Sequence, residues 1–152
     1  MIFFFQILNV SIQIFIWIYV SVNFSKLPEI IPTHFGFAGK PDSFGSRNTV
    51  WILPAVSTIL FLILNLISKN TDLLLLNIPN ALRKNKKLSG IFVNILSTFV
   101  LLIFANLIYE NMQIAMGKLQ KLSHLPELLI LMIFLTLIGF SIYARKLKKY
   151  NE

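Results

Sequence analysis

The sequence predicts an all-α integral membrane protein whose four transmembrane helices form an antiparallel bundle. Hydrophobic residues make up 56% of the 152 residues and charged residues only 13%, whereas a typical soluble domain has about 45–50% and about 25%. One small core cannot bury that much apolar surface, and so apolar a chain is not disordered. The chain contains no cysteine, which excludes a disulfide-stapled secreted scaffold. This composition therefore indicates an integral membrane protein.

Four uncharged apolar runs have the length of membrane spans, for which about 18 residues suffice. They lie at about 2–24, 49–67, 91–109 and 128–144, and none contains Asp, Glu, Lys, Arg or His. No Lys or Arg precedes the first run, so it lacks the basic region of a cleaved signal peptide and is expected to stay as an anchor. Residues 1–152 are therefore predicted to form a single transmembrane domain, with a loop at 25–48 between the first two spans.

The net charge of +8 is attributed to topology. With four spans, the termini and the middle loop share one side of the membrane and carry nine basic residues, against five in the other two loops. The positive-inside rule then places both termini in the cytoplasm, with anionic lipid at the basic segments and no nucleic-acid partner. An interfacial apolar segment is predicted at Leu73–Leu76 in the middle loop. The nine residues are Lys69, Arg83, Lys84, Lys86, Lys87, Arg145, Lys146, Lys148 and Lys149.

Polar residues inside the spans fall on helical faces. Such faces are expected to turn toward neighbouring helices, because an amide facing lipid leaves its hydrogen bonds unmade. Interhelical bonding is the favoured interpretation; a polar path in a small transport or channel component is the alternative, as is a structural subunit of a membrane complex. The residues are Gln6, Asn9 and Gln13 in the first span, Pro54, Thr58 and Asn65 in the second, and Asn94, Ser97 and Thr98 in the third.

The loop after the first span is rich in proline and glycine, the residues that most restrict or free the backbone. Three of the six prolines and three of the six glycines lie in the 21 residues from Leu27 to Arg47, which predicts an ordered, turn-rich path. Pro41-Asp42 followed by Gly45 predicts a turn, and Ser46 or Asn48 is expected to cap the second helix.

The same loop resembles a known family. Its matching residues are Leu27-Pro28, Ile31-Pro32, His34-Phe35, Gly39, Pro41-Asp42 and Gly45-Ser46-Arg47. This pattern is similar to the signature of the bacterial domain of unknown function numbered 1648, which also forms the N-terminal part of SdpI-type immunity proteins. Phe44 stands where Trp is frequent in the family, and Arg47 where Lys is frequent. The founding activity of that family is protection of a producing cell against its own secreted toxic peptide, coupled to membrane sequestration of a transcriptional repressor. The resemblance implies a bacterial cytoplasmic-membrane protein related to that family.

We expect this loop to act as a non-enzymatic recognition surface for a peptide or lipid-like ligand, with a possible membrane-protein partner. The resemblance supplies no catalytic residue and no cofactor, two histidines are too few for a usual metal site, and no activated-nucleophile pattern is present. The candidate ligand-binding residues are His34, Phe35, Pro41, Asp42, Phe44 and Arg47; those expected to shape the loop are Pro28, Pro32, Gly39, Gly45 and Ser46.

Two interpretations of individual side chains stay open. His34 is expected either beside Asp42 or Glu29, where its charge can respond to pH, or donating to a backbone carbonyl within a folded cap. Arg47 is expected to pair with Asp42 or with a lipid phosphate. In the third loop, Glu110 is expected to be solvated, as are Lys118, Lys121, His124 and Glu127.

Overall fold

The structure, a computed structural model, describes residues 1–70 and 85–150, with side chains described as far as residue 146. Four helices dominate it: α1 (Ile2–Asn23), α2 (Ile52–Lys69), α3 (Lys86–Ala115) and α4 (Leu125–Tyr150). Each is long and apolar enough to cross a membrane, which confirms the prediction of four such segments. The interfacial segment predicted at Leu73–Leu76 lies outside the described residues, as do Arg83 and Lys84.

Helix α3 is longer than the span predicted at 91–109, and polar residues account for both extensions. At its start, the Asn85 side chain accepts a 3.1 Å hydrogen bond from the Leu88 N–H and so caps the helix. At its end, the polar turns beyond Tyr109 stay helical because they bond to the rest of the protein. Gln113, for example, donates to the Tyr19 hydroxyl at 3.0 Å.

The loop between α1 and α2 is a β-hairpin, so the fold is not purely helical. Strand β1 (Ile30–Phe35) pairs antiparallel with β2 (Pro41–Ser46), and short 3₁₀ turns at Phe24–Lys26 and Arg47–Trp51 join the hairpin to the helices. The turn predicted from Pro41 to Gly45 is wrong, because these residues form the second strand. Proline is tolerated as the first residue of a strand.

The reversal of the chain lies earlier, between Gly36 and Lys40. Gly36 donates its N–H to the Lys40 carbonyl at 3.0 Å, and Gly39 donates to the Gly36 carbonyl at 2.8 Å. Gly39 has φ +70°, a conformation that costs side-chain-bearing residues free energy. The predicted cap of α2 is found at the preceding turn: the Ser46 side chain accepts from the Asn48 N–H at the start of the 3₁₀ turn Arg47–Trp51, whereas Trp51 precedes α2 without a side-chain cap.

Helix α3 packs against each of the other three helices. It contacts α1 through Asn9 and Asn94 near one end and through Tyr19 and Gln113 near the other. Its contact with α4 includes an aromatic pair, Phe92 and Phe140, with ring centroids 4.2 Å apart. The hairpin packs on α3 as well, so α3 is the element that connects the helices to the loop.

A buried polar cluster joins α1 to α3. Thr98 donates its hydroxyl to the Asn9 side-chain oxygen at 2.7 Å, and the Asn9 amide donates to the Asn94 carbonyl at 3.3 Å. Asn94 in turn donates to the Gly90 carbonyl at 2.8 Å. Asn9, Asn94 and Thr98 are all buried, so their hydrogen-bonding groups serve the contact between helices.

A second polar cluster joins α1 to α2. Gln13 donates to the Thr58 hydroxyl at 2.6 Å, and Trp17 donates its indole N–H to the same oxygen at 3.0 Å. Three other predicted residues behave differently. Gln6 is half-buried, and the side-chain oxygens of Asn65 and Ser97 are buried without a hydrogen-bond partner in the part of the chain that the structure describes.

Replacing Thr98 by Val tests the α1–α3 cluster, because it keeps the shape but leaves the Asn9 oxygen without its donor. We expect unfolding in detergent micelles to become easier by about 1 kcal/mol. Thr136→Val is the matched control, since Thr136 is half-buried and donates to the Met132 carbonyl of its own helix. Equal effects of the two substitutions would contradict the role of this cluster.

Candidate functional site

The hairpin is anchored on the helices through the inner side of β1. Ile31 is only 1% exposed and belongs to one buried cluster with Ile108 and Met112 of α3 and with Ile16 and Val20 of α1. At the base of the hairpin, the Arg47 N–H donates to the Glu29 carbonyl at 2.8 Å. The outer side of the hairpin is therefore presented to the surroundings on a fixed support.

His34 and Asp42 meet across the two strands. The His34 Nδ1 lies 2.6 Å from the Asp42 Oδ1, and the side chains are 70% and 50% exposed. The pair sits where the register is irregular on both sides of His34, so it bridges the strands where the regular ladder is interrupted. Of the two arrangements predicted for His34, the structure has the one beside Asp42.

The exposure of this pair limits its structural contribution. Solvent-exposed ion pairs stabilise proteins by only about 0–1 kcal/mol, and the imidazole is charged only when protonated. The free energy of folding therefore depends little on this pair. Its atoms remain accessible to a ligand that brings its own donor or acceptor.

Arg47 lies away from Asp42, so the predicted Arg47–Asp42 pair is wrong. Its guanidinium donates to the Leu27 carbonyl at 3.5 Å and stands 5.2 Å from the centroid of the Phe24 ring. The Phe24 ring contacts Trp51 at 5.4 Å, and Trp51 stacks on Trp17 at 5.9 Å. The arginine is thus held against an aromatic group at the junction of the hairpin with α1 and α2.

Large apolar side chains remain exposed on the outer surface of the hairpin. Ile30 is 67% exposed, Phe44 is 60% exposed, and Phe37 near the chain reversal is fully exposed. An open groove of about 520 Å³ lies at the base of the hairpin. Its lining residues are Glu29, Ile30, Phe44, Gly45, Ser46, Arg47 and Asn48.

The structure divides the predicted ligand-binding residues between two places. His34 and Asp42 form the cross-strand pair, and Phe35 pairs with Pro41 next to the chain reversal. Phe44 and Arg47 instead line the groove at the hairpin base. The sequence singles out Glu29 as a possible neighbour of His34 and does not single out Ile30, because the groove and its lining depend on the register of the two strands.

The residues predicted to shape the loop lie in the hairpin or directly before it. Pro28 is exposed and precedes β1, whereas Pro32 is buried opposite Phe44. Gly45 lies opposite Ile31, and a Cβ there would come within 3.0 Å of the Thr33 methyl group. Gly39 is confined similarly, since its Cβ would lie 3.0 Å from the Leu122 carbonyl oxygen.

The prediction that the Glu110 side chain is solvated is wrong. It is buried, accepts a 2.9 Å hydrogen bond from the Ser123 N–H and another of 3.3 Å from the Asn106 amide. The neighbouring Leu122 N–H donates to the Gly39 carbonyl at 2.9 Å. Glu110 therefore holds the loop between α3 and α4 against the reversal of the hairpin, a role that needs the tertiary structure to be seen.

Metal ligands do not assemble in this region. No group of three or more His, Cys, Asp and Glu side chains with the spacing of a metal site occurs within residues 1–70 and 85–146. The His34–Asp42 pair brings together only two side chains of these types.

The comparisons with known proteins bear on the segment just described. The family model of the domain of unknown function DUF1648 matches residues 12–58. The predicted family resemblance is confirmed. The DUF1648 match runs from α1 through the whole hairpin into α2, so it includes both the His34–Asp42 pair and the groove.

One relative matches a segment of the chain that is similar in length to the DUF1648 match. A protein of Archaeoglobus fulgidus, which carries the name "Uncharacterized protein", is 47% identical over 62 residues, or 41% of this chain. The match covers 34% of that relative, so the chain spans about a third of its length. No solved structure matches the chain.

Replacing Gly39 by Ala tests the contact between the hairpin and the α3–α4 loop. We expect faster hydrogen exchange at the Leu122 amide, because the new Cβ meets the Leu122 carbonyl. Gly117→Ala is the control: Gly117 has φ +73° but open space around its Cβ position, so it carries only the conformational cost of roughly 1–2 kcal/mol. Equal exchange at Leu122 in both variants would show that the contact is unimportant.

Proposed function

We propose that this chain is a non-enzymatic, multi-pass protein of the cytoplasmic membrane that recognises a peptide or lipid-like ligand through its hairpin. One observation carries the proposal: a hairpin held by buried Ile31 exposes Phe37, Phe44 and the His34–Asp42 pair on its outer surface. Exposed apolar side chains beside polar groups mark interaction sites. A rigid support also lowers the entropy cost of binding.

The proposed topology is an antiparallel bundle with the hairpin outside the cell and both termini in the cytoplasm. The order of contacts supports alternating directions, since Gln13 of α1 meets Thr58 of α2 while Trp17 stacks on Trp51. Basic residues are found at the opposite end of the helices from the hairpin, at Lys69, Lys86 and Arg145. Anionic lipid headgroups are the proposed partners of that end.

A relay from the hairpin to the cytoplasmic end is part of the proposal. Helix α3 has 30 residues, about 45 Å at 1.5 Å per residue, which exceeds the roughly 30 Å of a bilayer core. It contacts Ile31 near one end and begins at the basic residue Lys86 at the other. A ligand that shifts the hairpin would therefore act on the helix that reaches the basic segment. Protection against a toxic peptide, as in SdpI-type immunity proteins, is the proposed outcome.

The polar residues between the helices favour packing over a transport path. Gln13, Thr58, Asn94 and Thr98 bond to one another or to backbone carbonyls across short distances. A path for a polar substrate would need donors and acceptors that are free to exchange partners, and of the predicted polar residues only Asn65 and Ser97 leave a buried side-chain oxygen without a partner in the described part of the chain. Recognition at the hairpin therefore has the stronger support.

The proposed topology predicts which thiols an impermeant maleimide can reach. The natural chain has no cysteine, and Ser43 and Lys86 are both exposed side chains at opposite ends of the helices. Ser43→Cys is expected to label in intact cells, and Lys86→Cys only after permeabilisation. The reverse pattern would place the hairpin in the cytoplasm.

The proposed recognition predicts photo-crosslinks at the hairpin. With the photoreactive analogue p-benzoylphenylalanine at Phe44, we expect a peptide adduct in intact cells that falls at least several-fold in His34→Ala and Asp42→Ala. Membrane insertion is expected to persist, because an exposed pair contributes little to stability.

The matched controls are His124→Ala and Glu127→Ala, which remove the other exposed histidine–carboxylate pair, 3.7 Å apart. Both are expected to keep the adduct. The same probe at lipid-facing Phe134 of α4 reports bulk lipid and is expected to be insensitive to all four substitutions. Undiminished adducts at Phe44 in the two hairpin variants would count against recognition by this surface.

A further inference from the structure

The groove at the hairpin base combines one cation and one anion with apolar walls. Glu29 and Arg47 both line it, together with Ile30 and Phe44. The two charged side chains form no ion pair with each other in the described part of the chain, where Arg47 contacts the Leu27 carbonyl and the Phe24 ring. Arginine has five N–H donors, and this hydrogen bond uses one of them. Both charges therefore remain able to meet a ligand.

The aromatic residues beside the groove indicate its depth. Trp17 and Trp51 stack at 5.9 Å, Phe24 adjoins Trp51 at 5.4 Å, and the Arg47 guanidinium lies 5.2 Å from the centroid of the Phe24 ring. Tryptophan rings concentrate at the headgroup level of membranes. Since these two are the only tryptophans of the chain, the groove is expected to open among lipid headgroups rather than in free solution.

We propose that this groove binds the headgroup of an ethanolamine phospholipid. Arg47 binds the phosphate through its remaining N–H donors, Glu29 accepts hydrogen bonds from the primary ammonium, and the glycerol and first acyl carbons lie against Ile30 and Phe44. The inference rests on the proposed role of the hairpin in recognition and names the ligand of one part of it.

Charge complementarity selects this headgroup over its common alternatives. A choline headgroup has the same phosphate, but its quaternary ammonium has no N–H to donate to Glu29. A glycerol headgroup offers no cation to Glu29 and carries a net negative charge. Charge-assisted hydrogen bonds are roughly twice as strong as neutral ones. Only the ethanolamine headgroup can form one with Glu29, so we expect it to bind more tightly than the other two.

The test uses the purified full chain in detergent and three short-chain lipids, dihexanoyl phosphatidylethanolamine, phosphatidylcholine and phosphatidylglycerol. Tryptophan fluorescence reports binding, because Trp51 contacts the Phe24 ring, which in turn contacts the groove residue Arg47. We expect the ethanolamine lipid to bind about tenfold more tightly than the other two. Comparable affinities for all three lipids would overturn the inference.

Glu29→Gln is the decisive variant, because the exposed Glu29 side chain has no hydrogen bond of its own in the described structure and only its backbone carbonyl pairs with Arg47. We expect it to bring ethanolamine and choline lipids to similar affinity. Arg47→Gln is expected to weaken all three lipids about tenfold, and Arg47→Lys less. Retention of the full ethanolamine preference in Glu29→Gln would overturn the inference.

Matched controls remove charges outside the groove. Glu127→Gln and Lys118→Gln, both at exposed positions, are expected to leave the lipid preference unchanged; loss of the preference there would show a nonspecific charge effect and overturn the site. Soluble phosphoethanolamine separates a lipid from a free metabolite. Binding of it as tight as that of the lipid would show that Ile30 and Phe44 contribute nothing and would overturn the lipid assignment.

Failure of this inference is distinguishable from failure of the proposed function. If the Phe44 crosslinks depend on His34 and Asp42 but yield a peptide, and no headgroup preference is found, then the hairpin still recognises a ligand and the phospholipid site alone is refuted. If the preference is found but the crosslinks ignore His34 and Asp42, then the groove is a lipid site and the wider recognition surface is refuted.

Discussion

The packing of Ile31 against α3 is the contact on which the arrangement of the hairpin depends. A two-stranded hairpin alone is only marginally stable in water, so its order must come from its support. Burial of Ile31 with Ile108 and Met112 supplies that support, at roughly 1.5–3 kcal/mol for a fully buried isoleucine. The outer side can then keep Phe37 and Phe44 exposed without loss of order. The proposed recognition and the folding of the hairpin are in this way assigned to opposite sides of the same strands.

The support itself depends on polar residues that extend α3 beyond its apolar stretch. Glu110 holds the Ser123 N–H, and Gln113 holds the Tyr19 hydroxyl, so the last turns are fixed to α1 and to the following loop. That loop then reaches the hairpin through Leu122 and Gly39. Hydrogen bonds at this end thus fix α1, the α3–α4 loop and the hairpin relative to the end of α3. Apolar packing alone would not fix them, because it is not directional.

Sequence alone predicted the parts of the structure that depend on local pattern. Four helices long enough to cross a membrane follow from uncharged apolar length, the Ser46 cap of the 3₁₀ turn follows from residue type, and the similarity to DUF1648 rests on motif residues such as Pro32 and Gly39. The strands were missed because prolines and glycines indicate turns more strongly than strands. Glu110 was misjudged because its partners lie 4 and 13 residues away, and only folding shows that the loop returns to it.

In the hairpin, the residues of the motif that resembles DUF1648 have two different roles. Pro32, Gly39 and Gly45 set the backbone, since each is buried or closely approached by another segment. The two positions at which this chain departs from the pattern, Phe44 and Arg47, both line the groove. Each departure keeps the chemical class, aromatic for aromatic and cation for cation. The two glycine positions tolerate little because a Cβ there would lie 3.0 Å from a neighbouring group, whereas the groove positions can vary in size while retaining an apolar wall and a positive charge.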